Sequence, residues 1–210
     1  MGAGIGRIIE TDACVAEGAA WLAEADPRFA PALNDPLPLR RKPDGFSQLL
    51  SAIVSQQVST ASAAAIWARC VDAGLVNEDA VARASDEDLK RVGLSRPKQR
   101  YARALAAARL DYMKLRTQPT DIVIKNLVEV PGIGVWTAEI YAMLSLGRAD
   151  VFASGDLALQ EAARRLFGLD TRPRDRDLRQ MAEAWSPWRS VAARALWAYY
   201  AAETRREGVR

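Results

Sequence analysis

The residues best suited to chemistry in this chain are a carboxylate, a pair of glycines and a few indoles. Asp156 follows Gly155 and precedes the helical run Leu157-Ala158-Leu159-Gln160. Aspartate is a favoured helix N-cap, so a structural cap is the plain reading. A cap and a catalyst are compatible, because a carboxylate fixed at a helix start can face a developing positive charge with little reorganisation. Upstream stands Pro131-Gly132-Ile133-Gly134, where proline removes an amide and the glycines permit left-handed or very tight backbone. That is a hairpin, and the helical pattern resumes at Val135 with Trp136, Ile140, Met143 and Leu144 three and four residues apart. The first amides of such a helix attract anions, and glycine lets a bulky phosphate approach. An ordinary helix-helix turn competes with this reading, and core packing competes for any single tryptophan.

Composition narrows the chemistry. Histidine is absent, which excludes histidine bases, Ser-His-Asp triads and HExxH zinc sites, and leaves acid-base work to carboxylates, lysine or tyrosine. Cys14 and Cys70 cannot supply the four thiolates of an iron-sulfur cluster, so none is expected. A net charge of +3 is compatible with a polyanionic partner but does not decide it. No apolar run is long enough to span a bilayer, so a soluble, cytoplasmic protein without membrane association is expected.

The elements that position these residues read as helices throughout. Thr11-Asp12 caps a helix through Leu22, and prolines at 27, 31, 36, 38 and 43 make the next stretch turns. Asp44-Gly45 opens a helix whose face is Phe46, Leu49, Leu50, Ile53 and Val54, and Ser55-Gln56-Gln57-Val58-Ser59 interrupts it. Ser85 starts an acidic first turn, and Leu94-Ser95-Arg96-Pro97 is a second tight connection ahead of Lys98 to Met113. Thr120-Asp121 is expected to cap the helix entering the hairpin, and Ser186-Pro187 to open the last one. No alternating strand pattern appears, so the class is all-α.

The stretch from Leu127 to Gln160 resembles the helix-hairpin-helix of the DNA glycosylases. Pro131-Gly132-Ile133-Gly134, Trp136-Thr137-Ala138, Leu146-Gly147-Arg148, Asp150-Val151-Phe152 and Gly155-Asp156 carry the likeness. The nearest group is DNA-3-methyladenine glycosylase II, and the resemblance runs from about Phe46 to Tyr199. It implies a two-lobed helical glycosylase fold. One lobe would span 46–156 with the hairpin at about 127–145, the other would combine 1–45 with 157–210, and a cleft at their junction would hold Asp156.

By the same resemblance, Asp156 stabilises an oxocarbenium-like sugar and directs water. Trp136 and Trp197 offer aromatic faces to an alkylated, cationic base. The amides around Gly132, Gly134 and Val135, with Thr137 and Gln56, bind DNA, and Gln57 lies where relatives insert a side chain into the gap left by a flipped base. Glutamines at a helix break also satisfy loose backbone groups, and that alternative stays open. The carbonyls of Val128, Val130 and Ile133 would hold a structural sodium or potassium ion, with no other cofactor required. Relatives that cut the backbone place a lysine where Trp136 stands, so a monofunctional glycosylase releasing alkylated bases of the 3-methyladenine and 7-methylguanine type is implied. It would act as a monomer in base excision repair, on duplex DNA and by base flipping. A pocket tyrosine of some relatives is Ile140 here. The rival from another class is a non-catalytic helix-hairpin-helix module that only binds DNA, which has no need of Asp156.

Overall fold

A computed structural model describes residues 4–208. In chain order the helices are α1 (Asp12–Ala25), α2 (Phe46–Ser55), α3 (Thr60–Asp72), α4 (Glu78–Arg83), α5 (Asp86–Arg91), α6 (Arg96–Ala108), α7 (Tyr112–Thr117), α8 (Thr120–Val128), α9 (Val135–Ile140), α10 (Leu157–Leu166), α11 (Asp175–Met181) and α12 (Arg189–Gly208). Short 3-10 turns cover Pro27–Ala32 and Ala182–Trp185. No strand forms among the described residues beyond one isolated bridge between Ile8 and Arg148, in keeping with the all-α class.

The chain divides into two compact units, Lys42–Tyr141 and Met1–Arg41 with Ala142–Arg210. The sequence reading ended the continuous lobe at 156. Residues 142–156 instead go with the discontinuous unit, because their backbone is bonded there: the Ile9 amide donates to Gly147 O, the Ala149 amide to Arg7 O and the Ser190 amide to Ala149 O.

In the continuous unit, Leu49, Leu50, Ile53 and Val54 of α2 are buried, as their spacing predicts. They pack with α3 and α6, whose Ala102 and Leu105 are fully enclosed. Ser59 and Ser85 cap α3 and α5 through their hydroxyls, Ser85 in a reciprocal capping box with Asp88. Thr120 does not cap α8; the preceding residue is Pro119, which offers no side-chain acceptor, and Thr120 is already helical.

In the discontinuous unit, α12 packs on α10 and α1. A side chain at Gly18 would lie 2.6 Å from Val191, so the glycine is what lets α1 approach α12 this closely. Trp185 is edge-on to Phe29 and Phe152 at centroid separations of 5.1 and 5.3 Å, and its indole donates to Asp26 Oδ2 at 3.0 Å. Ser186 does not open α12: the helix begins at Arg189, and the Ser186 hydroxyl donates instead to Asp150, which Arg189 also grips through two nitrogens.

Candidate functional site

The hairpin is built from the end of α8, Glu129 to Gly134 and the start of α9. Gly132 has φ +96°, and a Cβ there would fall 2.4 Å from Cγ of Tyr101 on α6, so both conformation and the Tyr101 ring demand glycine. Gly134 differs from its expected role. It has φ −87°, serves as the α9 N-cap, and nothing lies within 4 Å of a Cβ built on it. Gly134 is exposed, so this open side faces solvent. Val135 and Trp136 follow at 48% and 43% exposure, so Trp136 is not the core residue that its area alone would suggest.

Thr137 follows on the same helix. It is buried at 5% exposure beside fully buried Ala138. The second helix is also shorter than its periodicity predicts: α9 stops at Ile140 and continues as a π-helical turn, Tyr141–Ser145. Tyr141 is buried, its hydroxyl accepts the Gly45 amide at 2.8 Å, and burial pushes the phenol up to about 12.

The two glutamines divide their work. Gln56 is half-buried and its amide donates to Gly132 O at 2.9 Å, so it satisfies hairpin backbone and ties the α2–α3 turn to the hairpin. Gln57 is exposed with φ +56°, a left-handed conformation that costs a non-glycine residue of order 1 kcal/mol and is kept only where surroundings fix it. Lys98, buried on α6, helps fix it by donating to Val54 O at 2.7 Å near the end of α2; burial pushes its ammonium down.

In the discontinuous unit, Asp156 is the N-cap of α10. Its Oδ1 accepts from the amides of Ala158 and Leu159 at 2.9 and 3.1 Å, and from the Trp197 indole at 3.4 Å. The loop before it is held by buried Ser154, whose carbonyl takes the Gln160 side chain at 2.9 Å and whose hydroxyl bonds Asp175. Asp156 and Trp197 are thus brought together, 41 residues apart in sequence. Trp188, the competing indole of the last helical segment, is 3% exposed and fills the core beside Gly18, whereas Trp197 is half-buried and keeps surface to offer.

One neighbour went unnoticed in the sequence. The Arg40 guanidinium lies 5.4 Å from the Trp197 ring centroid. Arg40 has φ +52° and is exposed. Leu39 O before it accepts Nε and Nη2 of fully buried Arg194 at 3.0 and 2.9 Å, and Arg41 after it donates to Ser145 O at 2.9 Å. Burial, with Arg40 and Arg41 nearby, pushes the Arg194 guanidinium down to about 10. Only the run of basic residues 40–42 could have signalled this, and a basic run is usually a solvated face.

The model of the HhH-GPD superfamily of base excision DNA repair proteins matches residues 50–188. The chain belongs to that superfamily. This HhH-GPD protein is similar to a crystal structure of a DNA-3-methyladenine glycosidase from Bacillus halodurans, 33% identical, with a TM-score of 0.78 and coverage of 90% of this chain and 91% of the other. It is 32% identical over 170 residues to DNA-3-methyladenine glycosylase 2 of Escherichia coli, covering 73% of this chain and 57% of that protein. With Bacillus subtilis YfjP it shares 28% over 165 residues, 72% of this chain and 58% of that protein. The chain therefore spans little more than half the length of these two curated relatives. Among the described residues no helix is long and apolar enough to cross a membrane.

Proposed function

We propose that this HhH-GPD protein is a monofunctional DNA glycosylase that hydrolyses the N-glycosidic bond of alkylated bases in duplex DNA, the first step of base excision repair. The observation that carries the reading is the Asp156 carboxylate, fixed by two amides and an indole at the mouth of α10. A DNA-binding module has no use for a carboxylate held so firmly beside an aromatic ring, since it would only repel phosphate. The names of the similar proteins, DNA-3-methyladenine glycosidase and glycosylase, support the same substrate class.

In this reading the open backbone at Gly134 and Val135 takes a phosphate, which positions DNA without reading sequence. Gln57 fills the gap left by the flipped nucleotide, presented by a turn that Gln56 and Lys98 hold; flipping itself costs a few kcal/mol. Trp197, bonded to Asp156, offers an aromatic face to a base that alkylation has made cationic, an attraction of about 1–2 kcal/mol when desolvated, and the exposed indole of Trp136 is proposed as a further aromatic face. As the C1′–N bond lengthens, positive charge builds on the sugar, and Asp156 stabilises it and directs water to C1′. Lys98 donates to Val54 O; Trp136 replaces the lysine of lyase relatives, and an indole nitrogen has no nucleophilic lone pair. The abasic strand should then stay intact.

A monovalent cation bound by the carbonyls of Val128, Val130 and Ile133 belongs to the same proposal. The donor set suits it: Val128 ends α8, where carbonyls run out of helical partners, and Val130 O accepts the Ile133 amide with a second lone pair to spare. Such an ion would neutralise hairpin carbonyls beside a phosphate. The test is a release assay with purified protein on duplexes carrying one 3-methyladenine, 7-methylguanine or hypoxanthine each. Release of an alkylated base supports the proposal, and binding without release of any base would favour the non-catalytic module. A monomer working in the cytoplasm is the setting this proposal assumes.

A further inference from the structure

The arginines around Trp197 stand in tension with a pocket for cationic bases alone. Arg194 is fully buried and donates to two carbonyl oxygens, Leu39 O and Ser190 O. Arg40 and Arg41 both lie near enough to depress it electrostatically. Arg40 rests over the Trp197 ring, and no carboxylate among the described residues pairs with it. Its backbone is committed to a left-handed conformation between two anchored neighbours, Leu39 through Arg194 and Arg41 through Ser145. Three guanidiniums gathered about a ring that also bonds Asp156 outnumber that one carboxylate and point to negative charge arriving from outside. A flipped nucleotide brings two sources, its flanking phosphates and the departing base. Arg40 lies 5.4 Å from the centroid of the ring that the glycosylase reading gives to the flipped base, which favours the second.

Resting on the glycosylase reading, we propose that Arg40 is a specificity-determining residue that stabilises the negative charge on a neutral damaged base as it leaves, extending the substrate range beyond cationic lesions. When C1′–N9 breaks, its electron pair stays on the base. A base alkylated to a cation departs neutral and needs no help. An uncharged base such as hypoxanthine departs as an anion, while water adds its oxygen to C1′ and gives up a proton to solvent, which later neutralises the base. The chain has no histidine to protonate that leaving group in advance. A guanidinium keeps its protons but offers charge-assisted hydrogen bonds that strengthen as the anion forms, which is what accelerates the chemical step.

The test is single-turnover release of hypoxanthine and 7-methylguanine from the same duplex context by wild type, Arg40→Asn, Arg40→Lys and Trp197→Ala. Asparagine tolerates the left-handed backbone, so the fold is not at stake. In Arg40→Asn the ratio of hypoxanthine to 7-methylguanine release should fall about tenfold, the low end for a charged hydrogen bond at an exposed residue, and lysine should restore most of it. An equal fall for both bases with a shallower salt dependence would mean a phosphate contact, and an equal rise would mean that Arg40 merely occupies the ring; either result, an unchanged ratio, or no hypoxanthine release by the wild type overturns the proposal. Failure of the parent reading is separate: the wild type would then release neither 7-methylguanine nor hypoxanthine, whereas under that reading Trp197→Ala slows release of both.

Discussion

Replacing Asp156 by asparagine removes one charge and little else. Asparagine caps helices about as well as aspartate, so the amides of Ala158 and Leu159 keep an oxygen acceptor and α10 should lose no more than about 0.5 kcal/mol. The Trp197 indole keeps its acceptor as well. What is lost is the attraction between a carboxylate and the charge developing at C1′. At roughly 4 Å and an effective dielectric near 20, that attraction is about 4 kcal/mol. At about 1.4 kcal/mol per tenfold, base release should slow on the order of a thousandfold. The assay is single-turnover release of 7-methylguanine with enzyme in excess, beside duplex affinity and the thermal midpoint. Affinity for lesion DNA should change little. Release within tenfold of wild type, with the fold intact, would refute the catalytic role given to this carboxylate.

Gly134→Val should fold, since a Cβ there meets nothing within 4 Å, yet weaken binding to lesion and undamaged duplex alike, seen by fluorescence anisotropy; a loss confined to lesion DNA would count against the phosphate role. Gln56→Ala removes the bond to Gly132 O, worth about 1 kcal/mol, and should slow base release while leaving affinity for undamaged duplex near wild type. Equal losses in both would instead make Gln56 a DNA ligand. Asp26→Ala strips the acceptor from the buried Trp185 indole and from Arg28, costing about 2 kcal/mol in urea unfolding. Arg28 and Trp185 hold the Asp26 carboxyl below its ordinary 3.8, so its stabilisation is present above that pH and is lost as the pH falls through the lowered native value. A variant as acid-sensitive as wild type over that range would contradict the linkage, and an unchanged urea midpoint at neutral pH would contradict the packing.

Much of this was legible along the chain because local rules and tertiary demands agree. The face of α2, the caps at Thr11, Ser59 and Ser85, the glycine at 132 and the cap at Asp156 each follow from spacing or from a side chain that bonds its own backbone. The misses have a common physical source, since each depends on a partner distant in sequence. Gln56 is spent on a carbonyl 76 residues away. Ser186 has the chemistry of a cap, but Asp150 offers it a better acceptor. Residues 142–156 continue the hairpin helix in sequence yet are bonded to the N-terminal segment. Arg40 carries no local signal at all; only the fold puts it on Trp197.

The central claim is hydrolysis of the glycosidic bond without a covalent enzyme intermediate. It is tested most directly by incubating the protein with duplex DNA carrying a single 7-methylguanine, with and without borohydride, and resolving strands before and after alkali. The account predicts released base, an intact strand that breaks only after alkali, and no trapped protein-DNA adduct. A borohydride-trapped adduct, or strand cleavage without alkali, would mean that an amine reaches C1′ and would contradict it.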